Sequence, residues 1–308
     1  MPSPAAAAGS AILAHLRAAG CAAPLVLTGA GVSTLSGIPD YRSASRPVYT
    51  PLQHRDYLAS APLRQRYWAR SCLGWPRMRD AAPNAAHHAL AALQRAGAIA
   101  SPLITQNVDS LHAKAVAAAG GGGGGDLEVL ELHGTLSRVE CLHCGAAAPP
   151  LCRHALQARM EAANAAWLAA HAPLAVQRPD GDMELPEGAY ASFAPPACAA
   201  CGQALLKPMV TFFGGTVPPA TVARSLALAG AADGLLVCGS TCTTFSAFRL
   251  LKAVAARGRP VVVIRSGGGV ARADSLASLL VEEEVGGALE GLLAAVGSGG
   301  GGGGGGGR

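Results

Sequence analysis

A chain of 308 residues, 50% hydrophobic and 14% charged, is long enough for one large core or two modest ones. Its net charge of +5 comes without a block of like charges, which argues against direct nucleic-acid binding. No apolar run reaches the roughly 18 residues of a membrane helix, and Arg17 alone is basic ahead of the first strand, which makes a poor import or secretory leader.

In chain order, short apolar runs bounded by turn residues read as strands over 23–29, 98–105, 127–134, 234–240 and 260–266. Between them lie helical patterns. One runs from the N-cap Asn84 to a stop at Gly97, and another ends at Gly258. Such alternation predicts an α/β fold, a doubly wound parallel (Rossmann-like) sheet with ligands at the carboxyl ends of its strands. The stretch 139–212, rich in Pro, Cys and polar residues, breaks the pattern and reads as a small inserted module. The sheet domain then comprises 1–138 and 213–296. The run Gly120–Gly125 reads as a swollen surface loop, and 297–308 as a disordered glycine tail.

Each polar motif follows one of these strands. In "TGAGVSTLSGIPDYRS", Gly29 and Gly31 would let backbone N–H groups approach a pyrophosphate, although two glycines after a strand also make an ordinary tight turn. The loop continues through Asp40, Tyr41 and Arg42. In "TQNVDSLH", Gln106, Asn107 and Asp109 suit a ribose or a carboxamide, and Asn107 or Asp109 equally suits the cap of the next helix. Cys141-x-x-Cys144 and Cys198-x-x-Cys201, with 53 residues between the pairs, offer four thiolates to one zinc ion. Four sulfur ligands leave no open position, so such a site is structural. His133 is then not needed as a ligand. A strand-end imidazole suits a general base or a purely structural role.

Taken together, "TGAGVSTLSGIPDYRS", "TQNVDSLH", "ELHGT", the paired C-x-x-C, "KPMVTFFGGTV" and "GSTCTTFS" resemble, in order and spacing, the sirtuins, the NAD-dependent protein-lysine deacylases. The resemblance spans about 24–292 and is closest to the class II branch, which includes a mitochondrial lipoamidase and ADP-ribosyltransferase. It implies NAD bound by Gly29, Ala30, Gly31, Ser33, Asp40, Tyr41, Arg42, Gln106, Asn107, Asp109, Gly239, Ser240, Thr241, Arg265 and Val285. It further implies His133 as catalytic base, with Asn107 beside it, and one structural Zn2+. The expected substrates are acylated protein lysines, the expected state a monomer, and the expected compartment the mitochondrial matrix or otherwise the cytoplasm. Tyr67 and Arg70 match a pair that reads the distal carboxylate of acidic acyl groups. The alternative is a helix turn with Arg70 solvated.

Three positions depart from the family pattern. Met209 and Gly215 stand where acidic residues are usual, and Arg265 stands where an asparagine commonly meets the adenosine ribose. Protein mono-ADP-ribosyl transfer and an NAD-sensing module with weak catalysis are the rival readings.

Overall fold

A computed structural model describes residues 2–40, 51–119, 127–145, 149–177, 183–186, 188–267 and 269–299. Tyr41, Arg42 and the Gly120–Gly125 loop lie outside the described residues, as does the tail after Gly299.

The chain begins with α1 (Pro4–Ala18) and β1 (Leu25–Thr28), then α2 (His54–Ala59), α3 (Ala61–Asp80) and α4 (Ala85–Arg95). Next come β2 (Leu103–Thr105), α5 (Leu111–Ala118), β3 (Val129–Glu131), β4 (Gly134–Cys141), β5 (Leu151–Cys152), α6 (Arg153–Ala163) and α7 (Ala165–His171). Two short strands follow, β6 (Val176–Gln177) and β7 (Met183–Glu184), then β8 (Leu206–Val210) and α8 (Pro219–Ala231). The chain closes with β9 (Leu235–Cys238), α9 (Phe245–Ala255), β10 (Val261–Arg265), β11 (Leu279–Glu282) and α10 (Val285–Gly299).

Six strands form one sheet in the order β11-β10-β9-β1-β2-β3, and every pairing is parallel. Alternate residues of each strand enter opposite cores. Val26, Leu236 and Val262 pack against α1, α4 and α10, whereas Leu25, Leu27, Leu235 and Val263 pack against α8 and α9. Burial on both faces explains why these strands read as continuous apolar runs. β11 escaped that reading because it is an edge strand: it buries Val281 but exposes Leu280 and Glu282.

α4 follows its sequence pattern closely. The Asn84 side chain accepts from the Ala86 N–H, and the Asn84 N–H donates to His87 Nδ1, a capping box. At the other end of the chain the expected disorder from 297 needs correcting. α10 runs on to Gly299, because a helix already nucleated and packed on α1 extends at one hydrogen bond per residue.

The inserted module also needs a corrected boundary. Its sheet is β5-β4-β8, so it starts with β4 at Gly134 and not at 139. Its core joins Val139, Leu156, Trp167, Phe193 and Leu206 to Trp68, Ala69 and Cys72 of α3. α3 therefore belongs to the module by packing, although it lies upstream in sequence. Cys152 occupies the exposed end of β5.

Beneath the strand ends two histidines lie buried side by side. The rings of His87 and His112 are 4.7 Å apart, and His112 Nε2 meets Thr28 Oγ1 at 2.9 Å. Burial pushes the His87 pKa down from 6.5 to about 4 and that of His112 well below its ordinary value. The unfolded chain therefore binds protons between pH 6.5 and 4 that the folded chain refuses, so stability falls as pH drops through that window. His87→Gln removes one such proton site. Urea melts of both proteins should show the stability difference moving by about 2 kcal/mol in favour of the variant between pH 7.5 and pH 5. A gap that does not change with pH would contradict the assignment.

Candidate active site

The sheet order places β1 beside β9, but the chain leaves them in opposite directions, β1 toward β2 and β9 toward β10. This is the switch point of a doubly wound sheet, where the loops after the two strands flank a crevice. The loops touch. The Gly31 N–H donates to the Gly239 carbonyl at 2.9 Å, and the Gly29 N–H donates to the Cys238 carbonyl at 3.0 Å. A Cβ on Gly31 would lie 2.8 Å from Gly239 Cα, and one on Gly29 would lie 2.7 Å from Ser240 Cβ. Gly239 has φ +59, and a Cβ there would lie 2.6 Å from the Val32 nitrogen.

These contacts revise the role first given to Gly29 and Gly31. Their amide protons are committed to the neighbouring loop, so the glycines serve loop-to-loop packing. Val32 N and Ser33 N are also committed, to the carbonyls of Gly29 and Ala30. The Ala30 N–H, by contrast, has no backbone acceptor among the described residues.

A ring of polar side chains surrounds the crevice. Gln106 Nε2 donates to Ser240 Oγ at 2.7 Å and to the Thr28 carbonyl at 3.2 Å. Asn107 Nδ2 donates to the Gly29 carbonyl and to Ser33 Oγ, both at 3.1 Å. Ser33 Oγ in turn donates to Asp109 Oδ2 at 2.7 Å. The amide donors of Gln106 and Asn107 thus fix the loops, while their amide oxygens accept nothing from the described residues. Those oxygens suit the N–H of a carboxamide or the O–H of a ribose. Asp109, one residue ahead of the α5 N-cap Ser110, accepts from the Leu111 N–H at 2.9 Å, and burial raises its pKa. Crevice, small-residue loops and free amide oxygens together fit a dinucleotide.

The remaining expected cofactor residues differ in how they stand. Thr241 is half-buried on the β9 loop, and Asp40 is half-buried at the edge of the described segment. Val285 is buried at the start of α10 and packs into the core. Arg265 does not present a free guanidinium. It makes four hydrogen bonds, two to Asp274 and one each to the Gly267 and Gly269 carbonyls, and lies 3.2 Å from Glu282. It organises its own loop, in place of the ribose contact first expected.

His133 lies just beyond β3 and is held from three sides. Its carbonyl accepts from the Thr211 N–H at 2.8 Å, which ties it to the end of β8. Gly134, at φ +80, lets β4 start against the Met209 carbonyl, which a Cβ would meet at 1.9 Å. Ring Nδ1 lies 3.1 Å from the Gln106 carbonyl, an acceptor, so Nδ1 carries the proton and Nε2 the lone pair. Nε2 lies 2.7 Å from Ser246 Oγ on the first turn of α9. Sequence reasoning missed Ser246, because nothing in "GSTCTTFS" distinguishes it from the hydroxyl residues around it. Burial, with a smaller push from Arg249, lowers the His133 pKa.

Tyr67 and Arg70 both lie on α3. Arg70 is 8% exposed, not solvated; its Nε donates to the Met183 carbonyl at 2.9 Å and its Nη2 lies 4.0 Å from Glu184. Tyr67 sits in an aromatic cluster with Tyr57, Trp68 and Phe212. Gly215 has a local reason to lack a side chain, since a Cβ there would lie 2.9 Å from the Phe212 carbonyl.

The four cysteines meet. Cys141, Cys144, Cys198 and Cys201 place their sulfurs within 4.8 Å of one another, with Cys141–Cys201 at 3.7 Å and Cys144–Cys198 at 3.9 Å. Zinc bonded tetrahedrally to sulfur separates its ligands by roughly 3.8 Å, so the set fits one ion. His133 is not among these ligands.

Comparison with known proteins matches the Sir2 family over residues 29–246. The chain belongs to that family, the sirtuins. It is 44% identical to the NAD-dependent protein deacylase SIR4 of Monosiga brevicollis over 79% of this chain and 75% of that one. It is 43% identical to the mitochondrial NAD-dependent protein lipoamidase sirtuin-4 of Bos taurus, over 85% of this chain and 79% of the relative. These relatives place it in class II. A Sir2 chain solved with a p53 peptide and NAD+ superposes at a TM-score of 0.65 with 25% identity, covering 90% of this chain and 93% of that one.

Metal analysis should find about one zinc per chain. Cys198→Ser should lose the ion and, because Cys198 belongs to the module core, expose that module to proteolysis. Full zinc content in the variant would contradict the assignment.

Proposed function

We propose that this chain is a class II NAD-dependent protein-lysine deacylase in which His133 acts as general base. The tautomer carries this reading. With Nδ1 committed to the Gln106 carbonyl, the basic lone pair is on Nε2, which holds a hydroxyl at 2.7 Å in the form of Ser246. A substrate hydroxyl entering the same hydrogen-bond range would have its proton taken there. Burial keeps the ring neutral at physiological pH, as a base must be.

NAD, when bound, supplies an electrophilic ribose and releases nicotinamide. Around it the chain orients and shields. Gln106 and Asn107 offer amide oxygens to the carboxamide and ribose, Ser33 and Asp109 hold Asn107 in place, and Thr241 with the β9 loop closes the adenosine side. The four cysteines would hold a zinc ion that braces the inserted module, whose β8 leads to Thr211 and so fixes the His133 backbone. The names of the relatives support the same chemistry, and the bovine sirtuin-4, a mitochondrial lipoamidase, supports a mitochondrial setting and lipoyl amides among the substrates. Acylated lysines on proteins are the substrates in this reading.

Incubation with NAD and an acyl-lysine peptide should release nicotinamide and O-acyl-ADP-ribose in equal amounts. His133→Ala should cut the yield at least about a hundredfold while keeping zinc and fold. For the unmodified enzyme kcat/KM should stay level above about pH 6.5 and fall below it, since the base is lost only when its lowered pKa is crossed. ADP-ribose retained on protein would favour the transferase instead. An undiminished His133→Ala variant would remove His133 from the role.

A further inference from the structure

The neutral His133 ring has a single lone pair, and Ser246 already holds it. With the ring proton on Nδ1, facing the Gln106 carbonyl, Ser246 Oγ at 2.7 Å from Nε2 is the donor of that contact. Ser246 has a second acceptor in reach, Thr244 Oγ1 at 3.3 Å. Thr244 is the α9 N-cap, yet its side chain caps no backbone amide and is available for that contact. The serine is therefore satisfied in both charge states of the ring. A neutral ring accepts from Ser246; a protonated ring donates to Ser246 Oγ, whose own proton turns to Thr244. Another histidine–hydroxyl pair, His112 with Thr28, works in one direction only. Thr28 Oγ1 donates to Thr105 Oγ1 at 2.7 Å, so it accepts from His112 Nε2 and has no proton to give the ring. The backbone keeps Ser246 where it is. It sits on the first turn of α9, which Ala247, Leu250, Leu251 and Val254 anchor in the core, and it is itself only half-buried.

We propose that Ser246 is a proton relay: a substrate hydroxyl passes its proton to Ser246 Oγ while Ser246 passes its own to His133 Nε2. The substrate O–H bond breaks as an O–H bond forms on Ser246. The original Ser246 O–H bond breaks as an N–H bond forms on the ring. The electron pair left on the substrate oxygen makes that oxygen the nucleophile. His133 remains the base, and the second half of its proton path is in place before any substrate arrives. Direct transfer to Nε2 would instead require Ser246 to leave first. The identity of the substrate hydroxyl rests on the deacylase reading; the donation from Ser246 to the ring does not.

The test compares the unmodified protein with Ser246→Ala and Ser246→Thr in two ways. Nitrogen NMR of the zinc-loaded protein, without NAD or peptide, reads the His133 ring. Nε2 should resonate as an unprotonated nitrogen, move further downfield in Ser246→Ala as its lone pair loses the donor, and return in Ser246→Thr. Single-turnover reactions with saturating NAD and an acyl-lysine peptide read the relay. Formation of O-acyl-ADP-ribose should slow at least about tenfold in Ser246→Ala, with half-saturating concentrations unchanged, and recover in Ser246→Thr. In mixtures of light and heavy water the unmodified rate should curve with deuterium content, as two protons moving together require, and the Ser246→Ala rate should follow a straight line. A protonated Nε2, or one that does not move in Ser246→Ala, overturns the inference. So does a straight line for the unmodified protein, or a Ser246→Ala rate equal to or above the unmodified one, which would mean that Ser246 is displaced. Failure of the unmodified protein to deacylate any peptide, with the Nε2 shift as expected, would count against the deacylase reading and leave the donation standing.

Discussion

The site depends on a contact between two backbones. Where the loops after β1 and β9 meet, Gly31 and Gly239 approach so closely that neither has room for a β-carbon. The hydrogen bond from the Gly31 N–H to the Gly239 carbonyl continues the pairing of β1 with β9 past the ends of the strands. The polar ring is built on this joint. Asn107 binds the Gly29 carbonyl, Gln106 binds Ser240, and Ser33 carries the line on to Asp109. The crevice is therefore shaped before any ligand arrives, which reduces the ordering that binding would otherwise cost.

The catalytic ring is held across both parts of the molecule. β3 of the large sheet leads to His133, β8 of the inserted module takes its carbonyl through Thr211, and α9 meets its ring through Ser246. The four cysteines can thus matter to the chemistry: a zinc ion held by them would secure the module, and the module's sheet holds β8. α3 adds a second brace, since its Trp68 indole donates to the Leu206 carbonyl at 3.1 Å.

Features written in local patterns were legible in the sequence. Five strands of the sheet, the α4 cap at Asn84 and the cysteine pairs could all be read from spacing and residue type. The inward turn of Arg265 and Arg70 could not, because an arginine's partners here, Asp274 and Met183, are set by tertiary contact. β11 hid behind its exposed alternate positions, and α3 hid its allegiance because Trp68 and Cys72 pack onto residues more than sixty positions away. Ser246 sits in an ordinary amphipathic helix, where only geometry separates a side chain that meets His133 from its neighbours. The glycines drew notice at the right place for the wrong reason. Their amides bind the next loop, and what they contribute is the absence of side chains.

Calorimetric titration of NAD into Gly239→Ala probes this joint most directly. The added methyl would strike the Val32 nitrogen at a backbone angle that favours glycine, so the two loops must part. NAD affinity should fall at least about tenfold, with zinc retained in the module. Affinity equal to that of the unmodified protein would show that the crevice does not depend on the glycine joint.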